Sequence, residues 1–187
     1  MKKLATLCLV AIEIAVAGCG VIPPPTTQVN TNVSRNWEAQ LSGGTGEGTL
    51  INFVTTFQFA NLGALDITYL NFINDNACFQ GGQTATGTVT NAQTLANGQF
   101  SGTLTYKIVS GTPAGNTLTL QGTITGTSSG TPGTIGTLTD GAVTGSPSAA
   151  NPKFGWKLTG SSDCGGSKGM TGTFTMCQGS ATCSPIL

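Results

Sequence analysis

The sequence predicts an all-β protein, an antiparallel meander of eight or nine strands closing into an up-and-down barrel, with a two-sheet β-sandwich as the alternative. Three observations carry this. Apolar and polar residues alternate with period two almost everywhere after residue 36, and no window in that region has a helical period. The polar positions are dominated by threonine, 32 in 187 residues, whose β-branched side chain favours a pleated surface. A Gly-Thr-apolar-Thr repeat starts at Gly87, Gly102, Gly122, Gly136 and Gly172. Its unequal spacing excludes a solenoid and suits strands joined by unequal hairpins. The glycines read as bulges and bends rather than as a carbohydrate or phosphate loop.

The strands are expected at about 36–42, 48–60, 65–74, 84–91, 99–110, 117–127, 134–140, 153–160 and 170–177. In the second, Ile51, Phe53, Phe57 and Phe59 share a face, opposite Asn52, Thr56 and Gln58. The third is apolar on both faces, with Ile67, Tyr69 and Ile73 on one and Leu70 and Phe72 on the other. In the fifth, Phe100, Leu104, Tyr106 and Ile108 alternate with Ser101, Thr103, Thr105 and Lys107. The sixth alternates Leu118, Leu120 and Ile124 with threonines; the last two carry Phe154, Trp156 and Leu158, then Met170, Phe174 and Met176. Closure is expected because an open meander leaves two bare edges.

Three segments are expected: residues 1–18 a signal peptide, 19–35 a tether and 36–187 a single β domain. Met1-Lys2-Lys3 is a basic start, followed by an apolar stretch from Leu4 to Ala17 that is too short for a stable span of about 20 residues. Glu13 lies inside that apolar core, where a charge is costly. Val16-Ala17-Gly18-Cys19 resembles the lipobox of bacterial lipoproteins. The resemblance implies cleavage before Cys19, a diacylglycerol on its sulfur and acylation of the new amino group, and glycine at residue 20 then points to the outer membrane. Such acyl chains anchor a protein without a further membrane segment. From Gly20 to Ser34 the chain is polar with three consecutive prolines, a semi-rigid spacer. Asn32-Val33-Ser34 matches a glycosylation sequon, which carries no meaning in a bacterial lipoprotein.

Charged residues are 7% of the chain and histidine is absent. The mature chain keeps Arg35, Lys107, Lys153, Lys157 and Lys168 against Glu38, Glu47, Asp66, Asp75, Asp140 and Asp163, one negative charge in excess. A nucleic-acid partner needing a Lys/Arg stripe is therefore not expected, and neither is histidine-based catalysis or metal binding. No cofactor is expected, and the domain is expected to be a monomer. Weak aromatic content and polar threonine faces argue against a membrane-spanning barrel.

With Cys8 removed and Cys19 acylated, Cys78, Cys164, Cys177 and Cys183 remain, enough for two disulfides. If 153–160 and 170–177 form a hairpin, Cys164 sits in its turn and Cys177 about 20–25 Å away at the far end. A bridge needs Cα atoms within about 7 Å. The expected pairs are Cys78–Cys164 and Cys177–Cys183. A zinc site from Cys164, Cys177 and Cys183 lacks paired spacing and histidine, and no Cys-x-x-Cys redox motif is present.

Asn36-Trp37-Glu38-Ala39-Gln40-Leu41 resembles the opening strand of lipocalin and avidin-like barrels, whose Trp plugs one end, although no biotin-site pattern follows. The stretch Cys164-Gly165-Gly166-Ser167-Lys168-Gly169-Met170-Thr171-Gly172-Thr173-Phe174-Thr175 resembles the ending of small Thr/Gly-rich lipoproteins of environmental Gram-negative bacteria. That resemblance implies location and architecture only. The expected role is therefore a non-catalytic, lipid-anchored envelope protein with a binding or structural β domain. As alternatives, a lipocalin-like cavity lined by Phe53, Phe57, Tyr69, Phe72, Phe100 and Tyr106 would take a small apolar ligand, or Trp156 would serve glycan binding or adhesion. A carboxylate-dependent hydrolase would need two acids about 5–10 Å apart. Asp75 and Asp163, brought near by the Cys78–Cys164 bridge, are the pair to inspect.

Overall fold

A computed structural model describes residues 36–43, 51–59, 63–73, 75–129 and 137–178. These form nine strands: β1 (Asn36–Ser42), β2 (Phe53–Phe59), β3 (Leu65–Phe72), β4 (Gln83–Thr94), β5 (Gln99–Ser110), β6 (Thr117–Ser129), β7 (Thr137–Gly145), β8 (Gly155–Thr159) and β9 (Met170–Gln178). Two single 3-10 turns, Ala77–Phe79 and Ser162–Cys164, interrupt the connections into β4 and β9. Every strand expected from the alternation is present, and all pairings are antiparallel.

The nine strands belong to one sheet, ordered β3-β2-β1-β9-β7-β6-β5-β4, with β8 paired to β6 and β9. The two end strands, β3 and β4, meet at a single bridge, Ala64 to Thr88. Closure of the ring is therefore uneven, and the arrangement fits the sandwich alternative. One wall, β3-β2-β1-β9, faces the other, β4-β5-β6 with β7 and β8. The inner faces meet through Phe53 and Tyr106, with ring centroids 5.7 Å apart, and through Phe59 and Phe100, also 5.7 Å apart.

One feature departs from a simple meander. β7 and β8 are not hairpin partners; they run in the same direction along one lane between β6 and β9. Thr144 pairs with Thr123 of β6 and Gly155 with Gln121, so Gly145 and Gly155 occupy successive positions along β6. On β9 the register is likewise unbroken, with Gly145 opposite Phe174 and Trp156 opposite Gly172. The residues between them, Ser146–Phe154, form an excursion held by reciprocal backbone hydrogen bonds between Ser148 and Asn151.

Alternation fails where the ladder carries an extra residue. Thr56 pairs with Tyr69 but Phe57 pairs with Ile67, so Thr68 is a β-bulge. The bulge switches the phase of β3: Leu65 and Ile67 face the core before it, Leu70 and Phe72 after it, and Tyr69 points outward, 51% exposed. This corrects the expectation of a strand apolar on both faces. A second bulge sets Asp140 and Gly141 against Gly126, with Asp140 at φ 51°. A Cβ at Gly141 would lie 2.5 Å from the Trp37 ring, so the missing side chain makes the space Trp37 fills.

Candidate functional site

Six residues are expected to line an apolar cavity, and the structure separates them. Phe53, Phe57, Phe100 and Tyr106 are buried between the walls, and Phe72 is half-buried at their edge. Tyr69 is excluded by the Thr68 bulge and does not line the interior. The five inward rings pack against one another and against their neighbours. Trp37 stacks on Phe57 at 5.0 Å; Tyr106 lies 5.7 Å from Phe53 and 6.3 Å from Phe57; Phe72 stacks on Phe79 at 4.9 Å. Aromatic rings at such separations are in packing contact. The side chains assigned to a ligand are thus occupied with each other.

A buried polar relay crosses the interior between β2 and β5. Thr55 Oγ1 donates to the carbonyl of Tyr69 at 2.8 Å, which uses its only proton. The 2.6 Å contact between Thr55 Oγ1 and the Tyr106 hydroxyl is then donated by Tyr106. Burial pushes the Tyr106 phenol up to about 12, partly offset by the Thr55 hydrogen bond. The phenol therefore stays neutral and acts as a donor that ties β5 to β2.

The second constellation lies at the end of the walls where β3 leads into β4. Cys78 and Cys164 form a disulfide with Cα atoms 5.6 Å apart, joining the two 3-10 turns. Beneath it Asn116 is almost completely buried. Its Nδ2 donates to the carbonyl of Cys78 and its Oδ1 accepts from the Ser161 backbone N–H, each at 2.9 Å. Its own N–H donates to Ser110 Oγ, which in turn donates to the carbonyl of Pro113. Asn76 caps the first turn by accepting from the Cys78 N–H at 2.9 Å. Asn116 was not legible in the sequence, because Gly115-Asn116-Thr117 has the composition of an ordinary turn.

Cys177 is disulfide-bonded; Cys183, its expected partner, lies outside the described residues, as do Cys19, Glu47, Arg35 and Asn32. With Cys164 and Cys177 both in disulfides, neither offers a thiolate to zinc. Among the described residues no group of three or more His, Cys, Asp or Glu could hold a metal ion. Asp75 and Asp163 are both exposed beside the disulfide. Trp156 is buried, its indole N–H donating to the carbonyl of Ser42 at 3.0 Å, so it offers no surface for a sugar. Among the described residues no helix is long and apolar enough to cross a membrane.

No family model matches the chain, and no curated protein and no solved structure is significantly similar to it.

Proposed function

We propose that the chain is a lipid-anchored protein of the bacterial cell envelope, held through Cys19 in the outer membrane, whose β domain has a non-catalytic binding or structural role. The observation that carries this reading is Val16-Ala17-Gly18-Cys19 directly behind the apolar stretch Leu4–Ala17. The Cys78–Cys164 bridge supports it, since structural disulfides persist in oxidising compartments such as the periplasm. The packed rings of Phe53, Phe57 and Tyr106 favour a rigid module that works through its outer surface over a carrier of small apolar ligands. With Trp156 buried, a glycan or adhesion role would likewise have to use other residues.

The test is metabolic labelling with a clickable palmitate analogue in a Gram-negative host, followed by detergent phase separation. The wild-type chain should carry label and enter the detergent phase, and Cys19→Ser should do neither as a processed protein. An unlabelled wild-type chain in the aqueous phase overturns the proposal.

A further inference from the structure

The mature chain is close to neutral, yet the strands set Lys107 and Lys157 on one wall and Glu38 and Asp66 on the other. Lys107 of β5 pairs with Thr119 of β6, and Thr119 with Lys157 of β8. Two lanes separate the lysines, about 10 Å. Their inward neighbours Tyr106, Ile108, Leu118, Leu120, Trp156 and Leu158 are buried, so both lysines stand on the outer face. Lys153, at the end of the Ser146–Phe154 excursion, leads directly into β8. A Cβ at Gly169 would lie 2.8 Å from Lys157 Cε, so the Lys157 stem lies over the residue that follows Lys168. All four lysines of the described residues are exposed.

Of the strands on their wall, β4, β5, β6 and β8 contain no Asp or Glu, and β7 carries Asp140. Glu38 and Asp66 are exposed on β1 and β3 of the opposite wall, with Asp75 just beyond β3. Asp140 lies in the bulge of β7, in the same lane as Lys157 but beyond Gly145 and Gly155, and Asp163 shares the β8–β9 connection with Lys168, so the lysines outnumber the acids on this wall by four to two. Between the lysines and above them runs a field of hydroxyls. Thr90, Thr103, Thr123, Thr144 and Thr175 form one continuous row across β4, β5, β6, β7 and β9. Lysines give a near-planar phosphate surface its charge attraction, and threonine hydroxyls can donate to phosphate oxygens.

We infer that this wall is a docking face for an anionic lipid surface, on which the domain lies with Lys107, Lys153, Lys157 and Lys168 toward the headgroups and Glu38 and Asp66 away. The choice of a membrane rests on the anchored reading above: a tether from Gly20 to Arg35 keeps the domain within about 50 Å of a bilayer at all times. A weak face of a few lysines then meets its partner at high effective concentration. Opposite charge on the far wall sets one orientation rather than mere adhesion.

The test uses the processed full-length protein with phosphatidylglycerol vesicles, phosphatidylcholine vesicles or soluble dextran sulfate. Flotation is read together with acetylation of each lysine by mass spectrometry. Lys107 and Lys157 should be protected on phosphatidylglycerol relative to phosphatidylcholine, and the protection should vanish at ~1 M salt, where screening acts over about 3 Å. For the unacylated chain that begins at Gly20, Lys107→Gln/Lys157→Gln should weaken binding to phosphatidylglycerol vesicles about 30-fold. Both side chains are exposed, so circular dichroism of that variant should match the parent. Equal acetylation on both vesicles, or undiminished binding by the double variant, overturns the inference. Protection by dextran sulfate alone also overturns it, assigning the face to a soluble polyanion. Failure of the acylated protein to float with phosphatidylcholine would instead count against the anchor and leave the lysine readout interpretable.

Discussion

Gly145 and Gly155 are separated in sequence by Ser146–Phe154, yet they stand at successive positions of one strand lane, opposite consecutive residues of both β6 and β9. The excursion is therefore an insertion in register, and β7 and β8 are two halves of a single strand. A Cβ on Gly145 would lie 2.9 Å from the Gly155 nitrogen, which shows how closely the two ends approach. Deleting Ser146–Phe154 and joining the glycines should leave far-UV circular dichroism unchanged. Stability to urea should shift by no more than about 1 kcal/mol, because loop length enters closure entropy only logarithmically. Loss of the folded signal would show that the excursion supports the sheet.

Tyr106 makes an alkaline prediction with a definite sign. Its folded pKa of about 12 lies above the ordinary value of 10.0, so the native state holds its proton more tightly than the unfolded chain. The resulting stability is fully present below about pH 10 and is lost as the pH rises towards 12, by about 2–3 kcal/mol. Tyr106→Phe should lack this part of the decline when urea midpoints are compared across that window. Parallel curves for both proteins would refute the assignment.

The order of donors around Thr55 predicts unequal costs. Tyr106→Phe removes a donor but leaves Thr55 bonded to the Tyr69 carbonyl, and should cost about 1 kcal/mol. Thr55→Val strands the phenol and that carbonyl together inside the core, and should cost about 2–3 kcal/mol. Chemical denaturation at neutral pH measures both, and the reverse order would break the relay as drawn.

The Cys78–Cys164 bridge closes a separation of 86 residues. In the chain-entropy account such a loop is worth about 4–5 kcal/mol. Cys78→Ala/Cys164→Ala should lower unfolding stability by about 3–5 kcal/mol. Cys78→Ala alone should do the same while exposing a free thiol to a maleimide reagent on unfolding.

At Asp140 the backbone sits at φ 51°, a conformation that costs most side chains about 1–2 kcal/mol. Asp140→Ala should therefore destabilise by about 1 kcal/mol and Asp140→Gly should not. Gly141→Ala next to it should cost more, about 2–3 kcal/mol, because its Cβ meets the Trp37 ring. Thermal melts of the three variants rank these effects directly.

Strand positions were legible because burial on one face writes a period of two into any chain that folds this way. Phe53, Phe57, Leu104 and Tyr106 face the core as their spacing implies. The Cys78–Cys164 pair was legible for a related reason: the β8–β9 hairpin sets Cys177 far from Cys164 along β9, and Cys78 and Cys164 both fall in loops at one end of the strands. Tyr69 was not, because a single extra residue in a ladder inverts every side chain beyond it, and Thr68 bears no mark that distinguishes it from a paired threonine.

What the sequence by itself determined is local: the strands, their buried faces and the N-terminal motif that ends at Cys19. Only the tertiary structure decided which strands share a lane, how incompletely β3 meets β4, and that Lys107 and Lys157 stand two lanes apart on one wall. Those facts depend on register between segments distant in the chain. Alternation reports which way a side chain points relative to its own strand and carries no information about the strand beside it.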